Sequence, residues 1–259
     1  MKTVFRSIIM TFSMFSIIPM PMVKWERENR KYMLCALPLV GVFIGMILYL
    51  WQFICRWLGL VDILFAAGLT LIPLCISGGI HMDGFCDTVD ALSSRASPER
   101  KREILKDSHT GAFAVIFCAA YFLGYFALAA EAGRTGTAAI FLGTCHAFAR
   151  SLGALAGVAF AGSGKTGMLA ASREDASEKA PMLLAVWCVL CATVLISLSP
   201  VSGIVCACAG VGLLWYLRVM AKREFGGMSG DLAGYLITLS ELVLLACYIF
   251  TEKAVAVCF

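Results

Sequence analysis

The chain has 259 residues, 60% of them hydrophobic and 15% charged, with a mean hydropathy of +0.86 and a formal net charge of +4. Such a composition lies outside the globular range and excludes an ordinary water-soluble enzyme, and so small a basic excess gives no ground for a nucleic-acid partner. The sequence therefore reads as one integral membrane domain over residues 1–259, an all-α polytopic protein.

The first twenty residues combine Lys2 and Arg6 with an apolar run, as a signal peptide would. The Ile18-Pro19-Met20-Pro21 segment offers no small-residue cleavage site, so the stretch is expected in the mature protein. Residues 4–22 are short for a crossing and end in two prolines, which predicts a re-entrant or interfacial helix. After a charged segment at 24–31, apolar runs follow at about 34–54, 61–80, 112–131, 137–160, 183–199, 201–220 and 232–250. Most approach the ~20 residues that cross a bilayer core, which gives about seven spans within a range of six to eight. Twelve cysteines fall singly in these runs, and the lone C-x-x-C, Cys188 to Cys191, lies inside one, so they are expected as small packing residues.

Lysine and arginine sort the loops into two sets. One set holds sixteen: Lys2, Arg6, Lys24, Arg27, Arg30, Lys31, Arg95, Arg100, Lys101, Arg102, Lys106, Lys165, Arg173, Lys179, Lys222 and Arg223. The other holds three, Arg56, Arg134 and Lys253. Because basic residues stay on the cytoplasmic side, the first set is expected there, with the N-terminus inside and the C-terminus outside. Two candidate active-site loops then share the cytoplasmic face, at about 81–111 and 221–231. Within the first, Ser97-Pro98-Glu99 reads as an N-cap, a proline at the first helical position and an acid in the first turn, opening a short helix through about Lys106.

The stretch from His81 to Ala91 carries Asp83, Asp87 and Asp90 at i, i+4 and i+7, one face of a helix at 3.6 residues per turn. Hard cations such as Mg²⁺ take oxygen ligands and keep room for substrate phosphate, so this face suits a metal and diphosphate site. The plain alternative is a solvated helix end balancing the basic loop, but three like charges beside a membrane core repel one another unless a cation intervenes. His81 is a candidate ligand-orienting group or base, with a structural donor as the alternative. Gly84 marks a close approach of backbone or ligand. Arg95, Arg102 and Lys106 are candidate phosphate contacts that also serve as a topogenic anchor, and Asp107 and Ser108 would bring a fourth carboxylate and a hydroxyl.

Deeper in the spans, Arg150, one turn after His146, and Glu241 stand out because charge in lipid faces a cavity or a partner. Both are site-lining candidates, with an intramembrane ion pair as the alternative. Gly226-Gly227-Met228-Ser229-Gly230-Asp231 offers a tight turn whose N–H groups, that of Gly227 among them, can meet an anion; Asp231 is a helix cap or a further ligand. Gly162-Ser163-Gly164-Lys165-Thr166 imitates the end of a phosphate-binding loop. It has Ala159 where the first glycine is required and follows a span instead of a strand, so it is set aside.

His81-Met82-Asp83-Gly84-Phe85-Cys86-Asp87-Thr88-Val89-Asp90 resembles the H-x-D-G-x-x-D-T-x-D signature of the cobalamin synthase (adenosylcobinamide-GDP ribazoletransferase) family. The resemblance continues in order through residues 13–21, Pro38-Leu39-Val40-Gly41, residues 100–111, Ala149-Arg150, the glycine-rich turn and Glu241-Leu242. Two departures are Ala91, where the family has glycine, and residues 161–179, which lack its acidic-glycine loop. The resemblance implies a Mg²⁺-dependent transferase of the cytoplasmic membrane that joins α-ribazole or its 5′-phosphate to adenosylcobinamide-GDP, releasing GMP. Asp83, Asp87 and Asp90, with Asp107, would hold metal; a carboxylate or His81 would take the proton of the ribose 5′-hydroxyl or assist a phosphate nucleophile. The alternatives are a CDP-alcohol-type phosphotransferase of lipid synthesis, whose signature has Ala-Arg where this chain has Asp87-Thr88, and a secondary transporter working through Arg150 and Glu241. Oligomerisation is left open.

Overall fold

The computed structural model describes residues 2–107, 109–133, 135–164 and 167–258. Ser108, Arg134, Lys165 and Thr166, which figured in the sequence expectations, lie outside the described residues. In chain order the helices are α1 (Lys2–Phe15), α2 (Arg27–Arg30), α3 (Met33–Trp57), α4 (Asp62–Ser77), α5 (Ile80–Ser93) and α6 (Pro98–Ile104). They continue with α7 (Ala112–Ala130), α8 (Gly136–Ala159), α9 (Met168–Glu174), α10 (Ala180–Leu198), α11 (Pro200–Phe225) and α12 (Gly230–Cys258). Among the described residues the one β-type pairing is an isolated bridge between Gly162 and Met228.

Six helices, α3, α7, α8, α10, α11 and α12, are long and apolar enough to cross a membrane. α4 and α5 form a pair bent by 94°. The bend has a local cause: α4 ends on Gly78 at φ 62° and Gly79 follows at φ 80°. Two successive left-handed residues turn the chain sharply, at little cost for glycine. Taken together, α4 and α5 form a broken span or a re-entrant loop, which gives up to seven passages among the described residues. The region expected as a long loop, 81–111, is thus mostly folded as α5 and α6, with Ser97 Oγ accepting the Arg100 N–H at 3.4 Å as the N-cap of α6.

α1 does not cross. Thr3 Oγ1 near its start bonds Glu28 Oε1 at 3.2 Å, and the Ile17 N–H just past its end donates to the Ile76 carbonyl at 2.9 Å. Glu28 precedes α3, which leaves this end of the bundle, and Ile76 closes α4, which returns to it. The helix is pinned between by Ser7, which donates to the Asn29 carbonyl, and Thr11, which donates to that of Met33, each at 2.7 Å.

The two loop sets separate in space as their charge suggested. At one end Arg30 pairs with Asp175 and Lys101 with Glu224, the Ser177 N–H meets the Lys31 carbonyl at 3.0 Å, and the Met228 N–H meets that of Ala161 at 2.8 Å. At the other, Lys253 pairs with Glu131 at 2.6 Å, and Ser199 and Ser202 donate to Glu252.

α8 is the central helix, buried along most of its length, and α3 is its closest neighbour. Small residues make that approach: Gly41 and Gly45 on α3, one turn apart, meet Ala147 and Gly143 on α8. A Cβ on Gly45 would stand 2.8 Å from the Gly143 Cα, and one on Gly41 would stand 2.5 Å from the Ala147 Cα. Lipid supplies little hydrophobic drive between helices, so such backbone contact holds the pair through dispersion. Gly143→Leu is expected to destabilise the detergent-solubilised protein by about 1–3 kcal/mol or more through overpacking, seen as a lowered thermal midpoint. Gly124→Ala, where a Cβ meets nothing within 4 Å, should leave the midpoint unchanged.

Candidate active site

α5 carries two faces. His81, Gly84, Phe85, Thr88, Val89 and Ala91 are buried, while Asp83 is exposed and Asp87 and Asp90 are half-buried on the other side. The buried face packs on α12 and α7. Its approach to α12 is at backbone distance: a Cβ on Gly84 would lie 2.7 Å from the Asp231 carbonyl oxygen, and one on Gly234 would lie 3.1 Å from that of His81. Gly84 therefore serves helix–helix approach. Ser229 caps α12, its Oγ accepting the Leu232 N–H at 3.3 Å, so Asp231 is not the cap.

This crossing brings the Asp231 carboxylate into the field of the stripe. Asp83, Asp231 and Asp90 are the charged neighbours of the half-buried Asp87 carboxylate. Asp90 has a separate task. Its two oxygens accept the Gly111 N–H at 2.7 Å and the Ala114 N–H at 2.9 Å, which caps α7 and ties it to α5. Among the described residues no three Asp, Glu, His or Cys side chains converge as a ready cage for a metal.

Two cavities meet at Asp231, and Asp83 lines the smaller of them. The larger, about 1170 Å³, is a polar cleft with Arg102, Lys106 and Arg173 in its walls and Ser163, Ser229 and Asp231 beside them. Its floor is stitched by the Gly162–Met228 bridge and by the Ser163 N–H donating to the Met228 carbonyl at 3.0 Å. The smaller, about 250 Å³, is mainly apolar and contains Phe15, His81, Asp83 and Asp231. Met168, Leu169, Gly230 and Asp231 belong to both. Arg173 and Ser163 were not singled out from the sequence as site residues, because nothing in the composition of 161–179 shows that this segment folds back on the glycine-rich turn.

Of the expected basic contacts, Arg102 lies in the cleft and is steadied by the Phe225 carbonyl at 3.2 Å and by Glu99; Lys106 lies there exposed. Arg95 sits at φ 51° on the exposed turn between α5 and α6 and is not among the cleft residues. Asp107 is exposed, bonded to His109 at 2.6 Å, with His109 and Arg100 as its charged neighbours instead of the stripe. The Gly227 N–H donates to the Ala221 carbonyl at 2.9 Å and closes α11, so it does not point to an anion. A Cβ there would stand 2.6 Å from the Gly162 carbonyl carbon, which explains the glycine.

Arg150 and Glu241 are turned to each other. One guanidinium nitrogen, Nη1, donates to Glu241 Oε1 at 2.6 Å, and His146 Nδ1 lies 2.9 Å from the same oxygen, with Tyr125 Oη 3.4 Å from the far side of that imidazole. Arg150 is 1% exposed, the intramembrane ion pair weighed from the sequence. His81 lies above this network, stacked on Phe15 at 6.0 Å, its buried Nε2 without a partner among the described residues.

With the geometry described, comparison with known proteins adds the following. A family model described as cobalamin-5-phosphate synthase matches residues 7–249. The adenosylcobinamide-GDP ribazoletransferase of Lachnoclostridium phytofermentans is 39% identical over 239 residues, covering 92% of this chain and 91% of the relative. Proteins of the same name from Clostridium botulinum and Clostridium perfringens are 30% and 31% identical, each covering at least 93% of this chain and 96% of the relative. No solved structure matches.

The buried pair gives a direct test. Glu241→Gln leaves the Arg150 guanidinium without its counter-charge and is expected to cost about 3–5 kcal/mol, read as a large drop in the thermal midpoint in detergent. Arg150→Met with Glu241→Leu, which removes both charges, should recover much of that loss.

Proposed function

This chain belongs to the cobalamin-5-phosphate synthase family, and we propose that it joins α-ribazole or its 5′-phosphate to adenosylcobinamide-GDP with release of GMP. The observation that carries the reading is Asp231, shared by a large cleft with three basic side chains and a small apolar cavity that Asp83 also lines, with Asp87 in the field of both carboxylates. One substrate brings a diphosphate and the other a neutral ring on a sugar, and the two cavities differ in the same sense.

The carboxylates fit a divalent cation of the magnesium type. Such an ion takes one or two carboxylates and completes its shell with water and substrate phosphate, so the lack of a three-ligand cage is no obstacle, and the mutual repulsion around Asp87 is what a cation would relieve. Asp83 and Asp87 would hold it; bound there, it would neutralise charge on the diphosphate. Asp90, engaged with the start of α7, positions α5.

In the proposed reaction Arg102, Lys106 and Arg173 hold the diphosphate oxygens of the nucleotide-activated substrate and steady the charge that develops on them. A ribose hydroxyl of the acceptor attacks the phosphorus carried by the cobinamide side chain, and the bond from that phosphorus to the GMP oxygen breaks. A product named cobalamin-5-phosphate keeps its phosphate, so the attacking oxygen is a ribose hydroxyl other than the 5′ one; a 5′-hydroxyl or phosphate nucleophile, as expected from the sequence, does not give that product. Asp231, common to both cavities, takes the hydroxyl proton; His81, buried against Phe15 and absent from the cleft, is passed over for that role. The excess of basic residues at this end of the bundle supports its placement on the cytoplasmic side, with both substrates entering from there.

The experiment is GMP release by detergent-solubilised protein supplied with adenosylcobinamide-GDP and α-ribazole. Turnover is expected to stop with EDTA and return with Mg²⁺. Asp83→Asn and Asp87→Asn should each lower it by about 10²-fold or more, with unchanged elution on size exclusion. Near-normal turnover by either variant would remove that aspartate from the mechanism, and activity untouched by EDTA would remove the cation.

A further inference from the structure

We infer that the 250 Å³ apolar cavity seats the aromatic base of the acceptor, so that residues from α1, α3, α8 and α12 decide which base is accepted. The inference deepens the proposed function and rests on it.

The lining is suited to a flat, weakly polar ring. Phe15 from α1, Leu34 and Leu37 from α3, Ala154 from α8 and Ile237 from α12 supply apolar contact, and a fused aromatic ring leaving water for such walls is stabilised by its whole buried area. A volume of 250 Å³ is that of a two-ring base with part of its sugar, and is far too small for a corrin macrocycle. The large substrate is left to the open cleft of 1170 Å³, where Arg102, Lys106 and Arg173 match its diphosphate.

A second observation points to a ligand with a polar atom. His81, 6% exposed, lines the same cavity, and among the described residues its buried Nε2 has no hydrogen-bond partner. An unpaired buried nitrogen is costly unless something meets it, and a base nitrogen or a ribose hydroxyl at this depth would do so. The cavity also delivers the sugar to the right place. Asp83 and Asp231 are among its residues, and Asp231 is shared with the cleft, so a base seated against Phe15 holds its ribose where the two cavities join.

The test uses the full chain in detergent and measures two things. One is the KM of each substrate in GMP release; the other is direct binding of α-ribazole, followed by benzimidazole fluorescence with EDTA present. Ala154→Leu, which narrows the cavity, is expected to raise both the KM and the Kd for α-ribazole about tenfold or more and to leave the KM for adenosylcobinamide-GDP within about twofold. Leu34→Ala, which enlarges the cavity and guards against misfolding of the first variant, is expected to admit a nucleoside with a third fused ring that the parent protein refuses. The inference is overturned if α-ribazole KM and Kd are unchanged in both variants, or if the change falls on adenosylcobinamide-GDP. A parent protein that binds α-ribazole in the cavity yet releases no GMP would overturn the functional reading and not the seat of the base; one that releases GMP with unaltered constants in both variants would do the reverse.

Discussion

The contact on which the site depends is the backbone approach of α5 to α12 at Gly84 and Gly234. A side chain at Gly84 would meet the Asp231 main chain below 3 Å, a distance that nothing but helix separation relieves. Because both positions are glycine, two helices far apart in sequence come close enough for Asp231 to share the field of Asp83 and Asp87. Closeness of like charges is unfavourable by itself. It is held by the packing of the opposite face of α5, where Phe85 stacks on Tyr235 and tilts against Tyr121, and by Asp90, which caps α7.

Below this crossing the bundle carries a second constraint of a different kind. Gly234 and Glu241 lie two turns apart on α12, on one face of that helix. Glu241 meets Arg150 and His146 of α8, so the same face that admits α5 at one level is locked to α8 at the next. A carboxylate so deep in a membrane protein is tolerable when paired, and its loss would leave charge with no solvent to receive it. The pair therefore works as a fixed bolt between α8 and α12, setting the rotation of α12 and with it the position of Asp231. The site is built from the outside by glycine contact and from beneath by a buried charge pair.

Much of this was legible from residue order. The spans follow apolar run length, the two loop sets follow lysine and arginine count, and the face of Asp83, Asp87 and Asp90 follows helical spacing. What the spacing could not distinguish was the differing work of three identical residues. Asp90 faces the N-terminus of α7, while Asp83 lines the smaller cavity and Asp87 lies in its field, and only the path of the chain between 93 and 112 separates these tasks. Asp107 shows the opposite error: near the stripe in sequence, it sits on an exposed turn with His109. Gly227 looked like an anion-binding turn, and its N–H completes a helix end instead. Arg173 carried no local signal, since its importance comes from a bridge between Gly162 and Met228, sixty-six positions apart.

The sequence by itself determined what depends on short range. Helix length, helical faces, the split of the basic residues between two loop sets and a motif of ordered matches are all written in neighbouring residues, because hydropathy and a period of 3.6 act locally. Only the tertiary structure decided which aspartates share a field, that Arg150 and Glu241 answer each other, and that one polar and one apolar cavity meet at Asp231. Those outcomes depend on how closely and at what rotation helices pack, and that is set by single glycines and one buried ion pair whose partners lie about ninety to a hundred and fifty residues away.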